Sequence, residues 1–109
     1  MDTQLLTKVR LKEFELKAII DSFRQLFLPT DHLWLFGSRA DLSRRGGDID
    51  LYIETNLPPN DVYDKRSSFL WALYDKIGEQ KIDIMVHIMQ DSLELPIYAV
   101  ARAEGAQLV

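Results

Sequence analysis

Two strictly alternating segments, Asp48 to Ile53 and Lys81 to Ile88, flank one long helical pattern, Val62 to Ile77, and this arrangement constrains the fold more than any other feature of the chain. Successive strand side chains point to opposite faces. Ile49, Leu51 and Ile53 therefore share one face of the first segment, and Asp48, Asp50 and Tyr52 share the other. In the second segment, Ile82, Ile84, Val86 and Ile88 oppose Lys81, Asp83, Met85 and His87. Between them, Val62, Phe69, Leu73 and Ile77 fall on one helical face, and Gly78 is the expected C-cap. A strand, a full helix and another strand predict a right-handed parallel crossover. His32 to Phe36 is a third, aromatic-rich strand. Only eleven residues join it to Asp48, short for a parallel crossover, so these two strands are expected to be antiparallel.

Helices complete the pattern. Glu13 to Phe27 carries Phe14, Ile19 or Ile20, Phe23 and Phe27 at helical spacing. Leu11 and Leu16 are placed for a hydrophobic staple at its start, and Leu28-Pro29-Thr30-Asp31 ends it. Asn56 to Asn60 reads as a loop, marked by Pro58 and Pro59. Pro96 to Glu104 reads as a last helix, with Gly105 just past its end. The first ten residues or so read as a loose lead-in. No repeat or low-complexity segment is visible. The expectation is one α/β (α+β) domain over residues 1–109, a mixed three-stranded sheet with helices packed on it.

Composition narrows the function. A net charge of −4 argues against a dedicated nucleic-acid binder, which is usually basic with clustered Lys and Arg. The chain has no cysteine, which excludes disulfides and thiolate metal sites. Met1 to Arg10 lacks the apolar run and cleavage site of a signal peptide. No stretch approaches the ~18 apolar residues of a membrane span. A cytoplasmic location is expected.

Asp48 and Asp50 sit about 6.6 Å apart along one strand face, near enough for their oxygens to converge on one or two ions. Asp83 joins them if its strand is the neighbour, roughly 4.8 Å away. Three packed carboxylates repel one another and raise their own pKa values; a divalent cation relieves the conflict. All-oxygen ligands suit magnesium or manganese, not zinc. A lone Asp-x-Asp is usually a solvated sheet face. Here it comes with a Gly-Ser turn after one strand, a Gly-Gly before the next and a lone Asp on a third.

Gly37 and Ser38 directly follow the first strand. Glycine lets backbone approach a phosphate closely, Ser38 offers a hydroxyl and an N–H, and a short helix starting at Ser38 would attract anions. Arg39 either neutralises phosphate or braces the site by pairing with Asp41 or another carboxylate. Arg44 and Arg45 read as solvated loop charges. Gly46 and Gly47 either aim Asp48 inward or form an ordinary turn.

The Gly37-Ser38 turn in Phe36-Gly37-Ser38-Arg39, separated by the nine residues Arg39 to Gly47 from Asp48-Ile49-Asp50-Leu51, resembles the DNA polymerase beta-like nucleotidyltransferase superfamily. The wording is most similar to its minimal nucleotidyltransferase (MNT) branch, and the resemblance runs from about Leu11 to the C-terminus. It implies the nucleotidyltransferase fold. It implies that Asp48 and Asp50 bind two magnesium ions, that Asp83 completes one ion's shell and helps activate the attacking hydroxyl, and that Gly37, Ser38 and Arg39 hold the nucleotide. An acceptor hydroxyl would attack the α-phosphate of ATP in line, with pyrophosphate leaving. Stand-alone MNT proteins resemble the antitoxin half of HEPN–MNT toxin–antitoxin pairs, in which AMP is transferred to a tyrosine of a helical HEPN ribonuclease toxin and silences it. Two other functions compete: a non-catalytic antitoxin acting by occlusion, and nucleotidylation of a small molecule such as an aminoglycoside with a second subunit.

The remaining candidates have plain explanations. His87 and Lys81 share a face with Asp83; the histidine either lines the site or, more often for such a residue, is ordinary, and the lysine is either an ordinary strand charge or one that neutralises Asp83 or touches phosphate. Trp34, Phe36, Phe69 and Trp71 read as core rather than as adenine platforms. Ile97, Val100 and Leu108 read as core or as a partner surface.

Overall fold

The computed structural model describes residues 3–91 and 93–109. Helix α1 is Thr3–Lys8 and α2 is Glu13–Leu26. Strand β1 is His32–Phe36, followed by a single 3-10 turn, Gly37–Ala40. Strand β2 is Ile49–Thr55, α3 is Pro59–Ile77, β3 is Ile82–Ile88, α4 is Pro96–Glu104 and β4 is Ala106–Gln107.

The sheet has four strands, in the order β3-β2-β1-β4, where the sequence predicts three. The added strand, β4, is two residues long and pairs antiparallel with β1. A two-residue strand carries no alternation to read, so only the tertiary pairing reveals it. β1 and β2 are antiparallel and β2 and β3 are parallel across the α3 crossover, both as expected. The open edge at β3 is partly covered by Arg66, whose Nε donates to the Ile84 carbonyl at 2.9 Å.

One sheet face meets α2 and α3. Leu33, Leu35, Ile49, Leu51 and Ile53 are fully buried there beneath Leu16, Ile19, Phe23, Phe69 and Leu73. Each side chain buried in this way contributes about 1.5–3 kcal/mol. Leu11 and Leu16 are both buried at the N′ and N4 positions of α2, the geometry of a staple. The Lys12 N–H donates to Glu15 Oε1 at 2.9 Å, which satisfies a backbone donor at the helix start. Phe14 departs from the expected core face and is exposed. The expected lead-in is helical from Thr3, and Val9 is buried; Met1 and Asp2 lie outside the described residues. Pro59 starts α3 instead of lengthening the loop before it, since proline at the first helical position has no N–H to leave unpaired.

The opposite face carries a smaller cluster, Trp34 and Tyr52 beneath Tyr98 and Ala101 of α4. Asp31 ties the far end of the sheet together. Its carboxylate accepts from the Leu28 N–H at 3.0 Å, the Thr55 hydroxyl at 2.6 Å and the Asn56 N–H at 2.7 Å. Among the described residues no helix is long and apolar enough to cross a membrane.

Candidate active site

The register of the sheet assembles the acidic residues. Asp50 lies opposite Asp83 across β2 and β3, and opposite Phe36 across β1 and β2. The Gly37 turn therefore emerges beside Asp50. Gly37 has φ +73°, and a Cβ there would collide with Asp50 Oδ2. Only glycine lets the backbone sit this close to the carboxylate in that conformation.

Asp50 is half-buried and Asp83 exposed. Burial raises the Asp50 pKa above the usual carboxylate value, and the charges of Asp83 and Asp48 raise it further, with Lys81 opposing them. Asp48 immediately precedes β2, so the sheet does not hold it directly. Its Oδ2 is 3.3 Å from Lys81 Nζ. Hydrogen bonding to Asp48, then the charges of Asp48 and Asp83, holds the Lys81 pKa above the ordinary lysine value. Lys81 thus neutralises Asp48 by direct contact, not Asp83. The Ile49 N–H donates to the Lys81 carbonyl at 3.0 Å, closing the two strand starts together.

Among the described residues no three His, Cys, Asp or Glu side chains converge closely enough to hold a metal ion as they stand. Asp48 is engaged by Lys81 instead. The chemistry of the group nevertheless fits a hard divalent cation. Its donors are all carboxylate oxygens, and Asp50, whose pKa is raised first by burial and then by the charges of Asp83 and Asp48, is a carboxylate that a cation would favour in its ionised form.

Ser38 packs against the chain that leads into Asp48. Gly46 has φ +152°, and a Cβ there would lie 2.8 Å from Ser38 Oγ. Among the described residues Arg39 pairs with neither Asp41 nor another carboxylate and reaches backbone carbonyls instead. Its Nη1 donates to the Arg10 carbonyl at 2.9 Å and its Nη2 to the Gly47 carbonyl at 3.2 Å. Arg10, which sequence reasoning missed, donates through Nη2 to the Gly46 carbonyl at 2.6 Å. Nothing local in the sequence announces that contact. Arg44 and Arg45 are exposed on the loop, as expected. Asp41 caps the same loop by accepting from the Ser43 hydroxyl and N–H, and these bonds lower its pKa. A hollow of about 530 Å³ beside the turn is lined by Phe36, Gly37, Asp41, Arg44 and Glu104.

The other candidates disperse. His87 is buried, four residues beyond Asp83, stacked on Tyr98 with its Nδ1 2.9 Å from the Tyr52 hydroxyl. That hydroxyl also donates to Glu54 at 2.7 Å and accepts from Arg102 at 3.0 Å. Arg102 pairs with Glu54 at 2.9 Å and Glu94 at 2.5 Å. This network fixes α4 to the sheet. Trp34 and Phe69 are core and Phe36 is partly buried, but Trp71 is exposed on α3. Leu108 is core, while Ile97 and Val100 are exposed. No protein-family model matches the chain, and no curated protein matches it.

Proposed function

We propose that this protein is a magnesium-dependent nucleotidyltransferase that moves AMP from ATP onto a tyrosine of a HEPN-type helical ribonuclease toxin, and so acts as its antitoxin. The observation that carries the enzymatic part is the register that sets Asp50 opposite Asp83 with the Gly37-Ser38 turn alongside. The resemblance of Phe36 to Arg39 and Gly47 to Leu51 to the MNT branch supports the partner.

Asp48, Asp50 and Asp83 would hold the cations. Bound there, these would stabilise the charge on attacking and leaving oxygens. Gly37 and Ser38 present backbone and hydroxyl donors to the triphosphate, and the close approach at Gly37 keeps those phosphates next to the carboxylates. Asp83, the exposed member of the group, is the carboxylate an incoming tyrosine hydroxyl meets.

The test is incubation of the protein with its helical partner, magnesium and ATP, followed by intact-mass measurement of the partner. One added adenylate on a tyrosine is expected. The Asp48→Asn, Asp50→Asn double variant should still pull down the partner yet leave it unmodified and toxic in cells. Full protection by that variant at wild-type expression would replace catalysis with occlusion. Transfer at the wild-type rate by that variant would remove the metal site.

A further inference from the structure

Asp48 lies outside β2, at the end of a loop with no regular structure from Asp41 onward, yet its position decides whether it can act with Asp50. Two guanidinium groups hold the two residues just before it. Arg10, from the segment between α1 and α2, donates to Gly46; Arg39, from the 3-10 turn, donates to Gly47. The two arginines are also joined to each other: the Arg10 N–H donates to the Arg39 carbonyl at 2.7 Å, and Arg39 Nη1 donates back to the Arg10 carbonyl at 2.9 Å. Among the described residues neither guanidinium forms an ion pair, and the Nε of each is buried without a hydrogen-bond partner. Both arginines are partly buried, and their guanidinium N–H groups reach backbone carbonyls instead of counter-ions. The carbonyls of Gly46 and Gly47 are what they bind in return.

We infer that Arg10 and Arg39 are positioning residues that clamp the Gly46–Gly47 strap and thereby fix Asp48 relative to Asp50, with Arg10 the member that ties the strap to the N-terminal segment. Gly46 lies against the Ser38 side chain, which a Cβ there would crowd, so the same clamp sets the strap's distance from the Gly-Ser turn. Loss of Arg10 frees Gly46 and, through Arg39, loosens Gly47. This role rests on the metal-site reading for its consequence, though the clamp itself is a property of the loop.

The loop contains its own probe, because Arg44 and Arg45 are exposed trypsin sites between the two clamped ends. The experiment compares the full chain with Arg10→Ala and Arg10→Lys, reading the rate of tryptic cutting at Arg44 and Arg45 against cutting at Lys65 and Lys76 in α3, together with Mn²⁺ affinity by the paramagnetic resonance of free Mn²⁺. In Arg10→Ala, loop cutting should rise about tenfold with α3 cutting unchanged, and Mn²⁺ should bind about fivefold more weakly. Arg10→Lys, which retains one donor for the Gly46 carbonyl, should recover part of both. Unchanged loop cutting, equal acceleration in α3, or wild-type Mn²⁺ affinity in the alanine variant would each overturn the clamp as a positioning device. Absence of Mn²⁺ binding in the wild type would instead overturn the proposed metal site, and the loop-to-α3 cutting ratio alone would then decide the clamp.

Discussion

Asp50 and Asp83 stand directly opposite one another across a parallel strand pair, and the charge of Asp83 adds to burial, the larger cause, in raising the Asp50 pKa. Register alone creates this proximity, because both residues sit on the same face of adjacent strands. The folded chain therefore keeps a proton on Asp50 to higher pH than the unfolded chain does. With more protons bound in the folded state, stability falls as pH rises from the unfolded pKa of about 3.9 through the folded value. Asp50→Asn removes that penalty. In metal-free buffer near neutral pH the variant should be more stable by less than about 1 kcal/mol, since solvent screens part of the repulsion. It should also lose the proposed magnesium-dependent transfer. Thermal melts in EDTA across pH 4 to 7 should show the wild-type and variant curves converging at the acid end. A destabilised Asp50→Asn at pH 7 would contradict the charge crowding.

Gly37→Ala should damage the site more than the fold. The positive φ costs an ordinary residue about 1–2 kcal/mol, and the added Cβ meets Asp50 Oδ2. The carboxylate must swing away, so Mg²⁺ binding and ATP binding should both weaken. Calorimetric titration checks this. ATP affinity equal to wild type would mean that the nucleotide does not lie against the turn.

Tyr52→Phe addresses the next position along the same sheet face. The hydroxyl is fully buried and serves Glu54, His87 and Arg102 at once. Removing it leaves buried polar groups short of a partner, at a cost of about 1–3 kcal/mol. Urea unfolding should show that loss while Mn²⁺ affinity stays at the wild-type value. A parallel fall in Mn²⁺ affinity would tie the Tyr52 network to the carboxylates beside it.

The contrast between these positions explains what the sequence could disclose. β1 and α4 have the boundaries expected of them because their ends carry local signals: Gly37 after His32–Phe36, and Pro96 and Gly105 around the last helix. The Asp50–Asp83 pairing was legible because alternation and the α3 crossover dictate strand neighbours. Arg10 was not legible, since its partner Gly46 lies 36 residues away and the contact depends on how two loops meet. β4 was hidden for the same reason: its ladder with β1 is supplemented by bonds between Leu33 and the chain end, including Leu108 N–H to the Leu33 carbonyl at 2.8 Å. Trp71 is exposed despite its aromatic character, because the buried face of α3 is set by Val62, Phe69, Leu73 and Ile77.

Lys81 supplies the last prediction. Its ammonium is 3.3 Å from Asp48 Oδ2 and its pKa is raised by that contact, so it stays charged at any working pH. A cation entering between Asp48 and Asp50 must compete with it. Lys81→Met should therefore tighten Mn²⁺ binding a few-fold at low ionic strength, and the gain should shrink as salt screens the exposed pair. The metal-free variant should in turn be less stable than wild type, because three carboxylates are left with one cation fewer. If Lys81 also meets the triphosphate, the KM for ATP rises in the same variant even as metal binding improves. Titrating Mn²⁺ at low and high salt, and measuring KM for ATP separately, distinguishes the two roles. Weaker Mn²⁺ binding in Lys81→Met would show that the lysine organises Asp48 for the metal instead of competing with it.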